Sequence, residues 1–78
     1  MNEWLSQRAD ALARATGIER SAFELSDGEV DRLLDLAGFA AHESDARTNA
    51  PLLCYLVGVA RSGEASLASL DQAVRSSS

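Results

Sequence analysis

Apolar residues recur at the three- and four-residue spacing of an α-helix over most of this 78-residue chain. The clearest run follows Val30 and consists of Leu33, Leu34, Leu36, Ala37, Ala40 and Ala41. These side chains cover more than half of the helix circumference, so this helix needs cover from two sides and should be central. Ser26 and Glu29 have the spacing of a capping box, which marks its start. No stretch alternates at the period of a strand, so the pattern predicts an all-α fold.

A first helix is predicted over about residues 3–16. Asn2 is placed to cap its start, and Gly17 offers the left-handed conformation that closes many helices. Asp10 and Arg14 are spaced for an i,i+4 ion pair. The following segment, Ile18 to Leu25, fits either one short helical turn or a structured loop.

A third helix should begin where Thr48 or Asn49 caps it, with Pro51 in its first turn, and end at Gly63. Its apolar residues leave a narrow polar face, which predicts a largely buried helix: Leu52, Leu53, Tyr55, Leu56, Val57, Val59 and Ala60. Gly58 lowers helix propensity by about 1 kcal/mol relative to alanine, so we expect another helix to approach closely there.

The last helix is predicted over about residues 64–74, and the serines at the end of the chain are expected to fray. The elements add up to a small antiparallel helical bundle of three long helices and a short fourth helix. The second and third helices form its central hairpin, because short connections favour antiparallel neighbours. We expect one domain over residues 1–78, with an ordered core of about residues 2–75.

Charge and composition exclude several classes of function. The net charge is −5, and the seven arginines are scattered, which disfavours a nucleic-acid binder such as a helix-turn-helix protein. The absence of lysine excludes Schiff-base chemistry and a P-loop. A single cysteine, an N-terminus unlike a signal peptide and the lack of a membrane-length apolar run predict a cytoplasmic protein.

The candidate site lies around the connection between the second and third helices. His42 is the one histidine, and Arg47 follows it in the connecting loop. With Asn49 and Pro51 at the start of the third helix, they are placed to hold a phosphate or carboxylate, or else to cap and close the loop. Phe39 falls on the polar side of its helix, either covering a loop or exposed as a contact. No metal site, catalytic group or cofactor is predicted, and Cys54 is expected to be a buried, unreactive thiol.

Three segments carry a resemblance to a known family. Residues 33–42, 47–52 and 56–58 match the pattern of a small actinobacterial helical domain of unknown function. Thr48 stands where that family often has proline. Members occur alone or fused behind nucleotidyltransferases of the kind that makes molybdopterin guanine dinucleotide. The resemblance implies an accessory role in molybdenum-cofactor biosynthesis and supplies no reaction.

Two functions remain open from the sequence. The first is a non-enzymatic accessory module that binds a protein partner through a surface that includes Phe39, His42 and Arg47, and the resemblance implies a molybdenum-cofactor nucleotidyltransferase as that partner. Because two small bundles can share a core, a homodimer is equally compatible with the pattern. The alternative is a binder of a small anionic ligand, or a weak enzyme, that uses His42 and Arg47.

Overall fold

A computed structural model describes residues 1–61 and 65–77, and these residues contain no strand. The elements are four α-helices and one 3₁₀ turn: α1 (Glu3–Thr16), the turn (Arg20–Phe23), α2 (Asp27–Ser44), α3 (Asn49–Arg61) and α4 (Leu67–Ser76). The predicted all-α class, with three long helices and a short fourth, is confirmed. The segment that fitted either a turn or a loop holds the 3₁₀ turn.

Local capping signals place both ends of α1 and the start of α2 as predicted. Asn2 caps α1, since its side-chain oxygen accepts a hydrogen bond of 2.9 Å from the backbone N–H of Leu5. Gly17 ends α1 at a φ of +74°, a region that only glycine enters without strain. At α2, the Ser26 N–H donates to Glu29 Oε1 at 2.9 Å, and the Glu29 N–H donates to Ser26 Oγ at 3.2 Å. The capping box is therefore complete.

The chain divides into two compact units, Met1–Val30 and Asp31–Ser78. α2 begins in the first unit, and most of its length belongs to the second. The organisation as a single domain stays a prediction.

In the first unit, Arg20 joins α1 to the 3₁₀ turn. Its guanidinium donates to Asp10 at 2.6 Å, to Glu24 at 2.9 Å and to the backbone oxygen of Ser6 at 3.4 Å. The predicted pair between Asp10 and Arg14 is wrong: Arg20 takes the carboxylate, and Arg14 makes no ion pair with any described residue. A tertiary partner has replaced the local one.

In the second unit, one hydrophobic cluster joins α2, α3 and α4. Its buried members are Leu36, Val57 and Leu67, one from each helix, and Leu36 is fully inaccessible to solvent. Five partly buried side chains pack around them: Leu33, Phe39, Leu53, Leu70 and Val74. The three helices thus form a small bundle, and each helix contributes one buried side chain to its core.

α4 begins later than predicted. Ser66 caps it, since its Oγ accepts a hydrogen bond of 3.1 Å from the Ser69 N–H, and the helix starts at Leu67. The predicted start near Glu64, and the predicted end of α3 at Gly63, lie outside the described residues. The capping serine was the signal to use, because it satisfies an otherwise unpaired N–H.

The end of the chain is more regular than predicted. α4 continues through Ser76, two residues past the predicted end at Val74. Ser77 closes it, because its N–H and its Oγ donate to the Val74 carbonyl at 3.2 and 2.7 Å. Side-chain bonds to the last carbonyls satisfy acceptors that a frayed end would leave to water. Ser78 lies outside the described residues.

The prediction of a largely buried α3 is wrong. Val57 is buried, whereas four large apolar side chains are between 56 and 71% exposed: Leu52, Tyr55, Leu56 and Val59. The sequence pattern counts apolar positions, but burial also requires surface to cover them. The predicted close approach at Gly58 is also absent, since no described atom of a neighbouring element lies within 4 Å of a Cβ built there.

Candidate functional site

An apolar groove of about 330 Å³ opens on the second unit, between α3, the end of α2 and α4. Six apolar and four polar residues line it: Phe39, Ala40, Glu43, Ser44, Asn49, Leu52, Leu53, Leu56, Val74 and Ser77. It adjoins a second groove of about 350 Å³ between α3 and α4. Of the five predicted contact residues, Phe39 and Asn49 line the groove.

Phe39 is held in place from two sides. Its ring is partly buried against the hydrophobic cluster, and the Arg75 guanidinium lies 4.9 Å from the ring centroid. This distance allows a cation–π contact, which is worth about 0.5–1 kcal/mol at such a surface. Phe39 is therefore a fixed part of the groove wall, and neither a loop cover nor a fully exposed contact.

Arg75 belongs to an ion-pair network centred on Asp71. The buried Asp71 carboxylate accepts one hydrogen bond from Arg75 Nε at 2.7 Å and another from Arg32 Nη1 at 2.9 Å. The bonds from Arg75 and then Arg32 lower the pKa of Asp71, against the opposing effect of its burial. The network links α2 to α4 and orients the guanidinium that covers Phe39.

Sequence reasoning missed this network. Asp71 and Arg75 are four residues apart on one helix, a spacing that predicts an ion pair. Arg32 lies 39 residues away from Asp71 in the sequence, and no local sequence pattern predicts that contact. Asp71 was therefore not singled out from the sequence.

His42, Arg47 and Pro51 are exposed and do not line the groove. The side chains of His42 and Arg47 make no hydrogen bond or ion pair with any other described residue. They stay close to the groove along the chain, since His42 precedes its lining residue Glu43 and Arg47 lies two residues before Asn49. Two exposed basic side chains thus lie close in sequence to groove-lining residues of an acidic chain.

The start of α3 is closed by its own loop. The Asn49 N–H donates to the Ala46 carbonyl and the Ala50 N–H donates to the Arg47 carbonyl, each at 3.1 Å. Pro51 has no N–H to offer. In the described part of the chain, neither residue predicted to cap α3 makes a side-chain bond to its amides. Two of the amides that an anion would use therefore already have acceptors.

Cys54 is half-buried in α3, and burial raises the pKa of its thiol. A thiol of raised pKa is largely protonated near neutral pH and is a poor nucleophile. Residues 1–61 and 65–77 contain no group of three or more histidine, cysteine, aspartate or glutamate side chains placed to hold a metal ion. No helix in these ranges is sufficiently long and apolar to cross a bilayer.

These features define a small all-α protein with an apolar groove in its second unit. Over residues 1–78 the chain matches the family model described as a domain of unknown function (DUF6457), and it belongs to that family. No curated protein and no solved structure matches it. Membership in a family of unknown function agrees with the resemblance seen in the sequence at that level.

Proposed function

We propose that this protein is a non-enzymatic accessory module that binds a protein partner next to the groove of its second unit. The observation that carries the proposal is an apolar groove with a fixed aromatic wall. It is supported by His42 and Arg47, two basic side chains that are close in sequence to groove-lining residues and lack partners among the described residues. We call Phe39, His42, Arg47, Asn49 and Pro51 the loop surface. Apolar pockets with a few polar groups at the edge are typical of recognition sites.

The chemistry of the loop surface selects the kind of partner. The groove takes apolar side chains, such as those on one face of a helix. Arg47 and His42, close in sequence to the groove-lining residues, pair with carboxylates of the partner, and the guanidinium suits bidentate contacts. Because the whole chain carries a charge of −5, these two basic side chains favour one orientation of an acidic partner.

The partner we propose is a nucleotidyltransferase of the kind that makes molybdopterin guanine dinucleotide. This assignment rests on the sequence resemblance to actinobacterial domains that are found fused to such enzymes. A fused arrangement in some chains suits a non-covalent complex in others, because fusion raises the effective concentration of two domains that already interact. The chemistry of nucleotide transfer then belongs to the cytoplasmic partner.

Charge reversal at Arg47 tests the proposal. We expect Arg47→Glu to weaken binding to the separate nucleotidyltransferase by about tenfold or more, because it places a carboxylate against the partner's carboxylates. Arg14→Glu is the matched control, since Arg14 is an exposed arginine of the first unit without an ion pair in the described residues. Isothermal titration calorimetry measures both. Equal affinities for the two variants, or no binding by the wild type, would refute the proposal.

A second candidate is the binding of a small anion by His42 and Arg47. It is favoured by the lack of side-chain partners for both residues within the described part of the chain. The occupied amides of Asn49 and Ala50 weigh against it. Inorganic phosphate distinguishes the two: saturable NMR shifts at His42 and Arg47 with phosphate alone, lost in Arg47→Ala, would favour the anion binder.

A further inference from the structure

The exposed apolar residues of α3 form a symmetric stripe. We call these four residues the α3 stripe: Leu52, Tyr55, Leu56 and Val59. The intervals between them are three, one and three residues, so the stripe reads the same in both directions. Each member is at least 56% exposed, and i, i+3, i+4, i+7 spacing places all four on one side of the helix.

We propose that the α3 stripe binds a second copy of this chain, with the two α3 helices antiparallel across a two-fold axis. In a two-fold interface, a residue that contacts another is contacted by it in return. A centre between Tyr55 and Leu56 brings these two side chains together across the axis. The same centre sets Leu52 of each copy against Val59 of the other. The palindromic spacing lets every apolar side chain meet another apolar side chain.

The charges around α3 also suit self-association. Residues 49–61 contain no aspartate or glutamate, although the whole chain has a charge of −5. The α3 helices themselves therefore add no repulsion between carboxylates when two acidic copies meet. Glu43 lies in the groove beside the start of α3, and Arg61 is the last residue of α3. Antiparallel pairing brings the Arg61 end of one copy to the Glu43 end of the other and aligns the helix dipoles favourably.

The exposed area is sufficient for a small interface. At the exposures given above, the α3 stripe presents roughly 500 Å² of surface, so a pair of copies buries at most roughly 1,000 Å², the lower limit for a specific contact. A large aromatic residue near the centre fits the usual anchor of an interface. Leu52 and Leu56 also line the groove, so the dimer covers two groove-lining side chains and competes with the partner for them, although neither Arg47 nor His42 belongs to the α3 stripe.

Sedimentation velocity of the full chain, from low to high micromolar concentration, tests the proposal. The wild type should sediment at twice the chain mass of 8.3 kDa at high concentration. We expect Leu52→Glu alone and Val59→Lys alone to weaken the dimer by about a hundredfold, because each buries an unpaired charge. The double variant carrying both changes should regain most of the affinity, since the new charges face each other across the axis.

Leu34→Glu is the matched control, because Leu34 is 66% exposed on α2 and lies outside the α3 stripe. It should leave the dimer unchanged. Circular dichroism checks that each variant is folded. If a single α3-stripe variant is not folded, Tyr55→Ser is measured in its place. A monomeric wild type at every concentration overturns the proposal. So does a Leu34→Glu effect as large as that of Leu52→Glu, or a double variant no better than its parents.

Discussion

Asp71 is the residue on which the second unit most depends for a polar contact between helices. It is buried, it accepts from two guanidiniums, and one of these holds the Phe39 ring. The side chains of Arg32 and Arg75 are 44 and 42% exposed to solvent. Water can therefore hydrate both guanidiniums when the carboxylate is removed. The contribution of Asp71 is therefore moderate, well below that of a fully buried ion pair.

Replacing Asp71 by asparagine should destabilise the fold by about 1–3 kcal/mol, because two charge-assisted hydrogen bonds are weakened at nearly constant volume. Urea unfolding followed by circular dichroism measures the change. Asp35→Asn is the control, since Asp35 is exposed on α2 and should change the free energy of unfolding little. Equal effects of the two substitutions would show that the network contributes no stability.

The same carboxylate predicts a pH dependence. Its pKa is lower in the folded protein than its ordinary value of 3.8, so the unfolded chain binds this proton more readily. The stabilisation is therefore present above the unfolded pKa and is lost as the pH falls through the folded pKa. As the pH is lowered from 7 into the acidic range where Asp71 becomes protonated, the urea concentration at the midpoint of unfolding should fall further for the wild type than for Asp71→Asn. Parallel profiles would contradict this assignment.

The helices themselves show which kinds of information a sequence holds. Asn2, Gly17 and the Ser26–Glu29 pair act within four residues of the backbone groups they satisfy, so their roles could be predicted. The exposure of α3 could not, because it depends on how much surface the other helices offer. The Ser66 cap could have been predicted from the sequence. Missing this local signal shifted the predicted start of α4 by several residues.

Substitution of Gly58 tests whether another element packs against this side of α3. No described atom of another element lies near its missing side chain, and it is outside the α3 stripe. Gly58→Ala should therefore stabilise the protein by about 0.5–1 kcal/mol through a lower conformational entropy of the unfolded chain. Thermal unfolding at fixed protein concentration measures it. A destabilised variant would show that a close packing partner occupies this side of α3.

At the scale of the molecule, an all-α class could be predicted from periodicity and local caps, and a family of unknown function from the match of three segments. The candidate site was predicted in part. Phe39 and Asn49 line the groove, whereas His42, Arg47 and Pro51 lie outside its lining. The groove itself is lined by side chains of three helices. No short stretch of the sequence predicts that these side chains come together.

Binding of a protein partner at the loop surface can be mapped by NMR chemical shifts of the labelled chain, titrated with the separate molybdenum-cofactor nucleotidyltransferase. We expect saturable shifts at Phe39, His42, Arg47 and Asn49, with little change at the amides of α1. Shifts confined to the first unit, or a spectrum unchanged at saturating enzyme, would contradict it. The dimer is measured without the enzyme, so a failure of either proposal is seen separately.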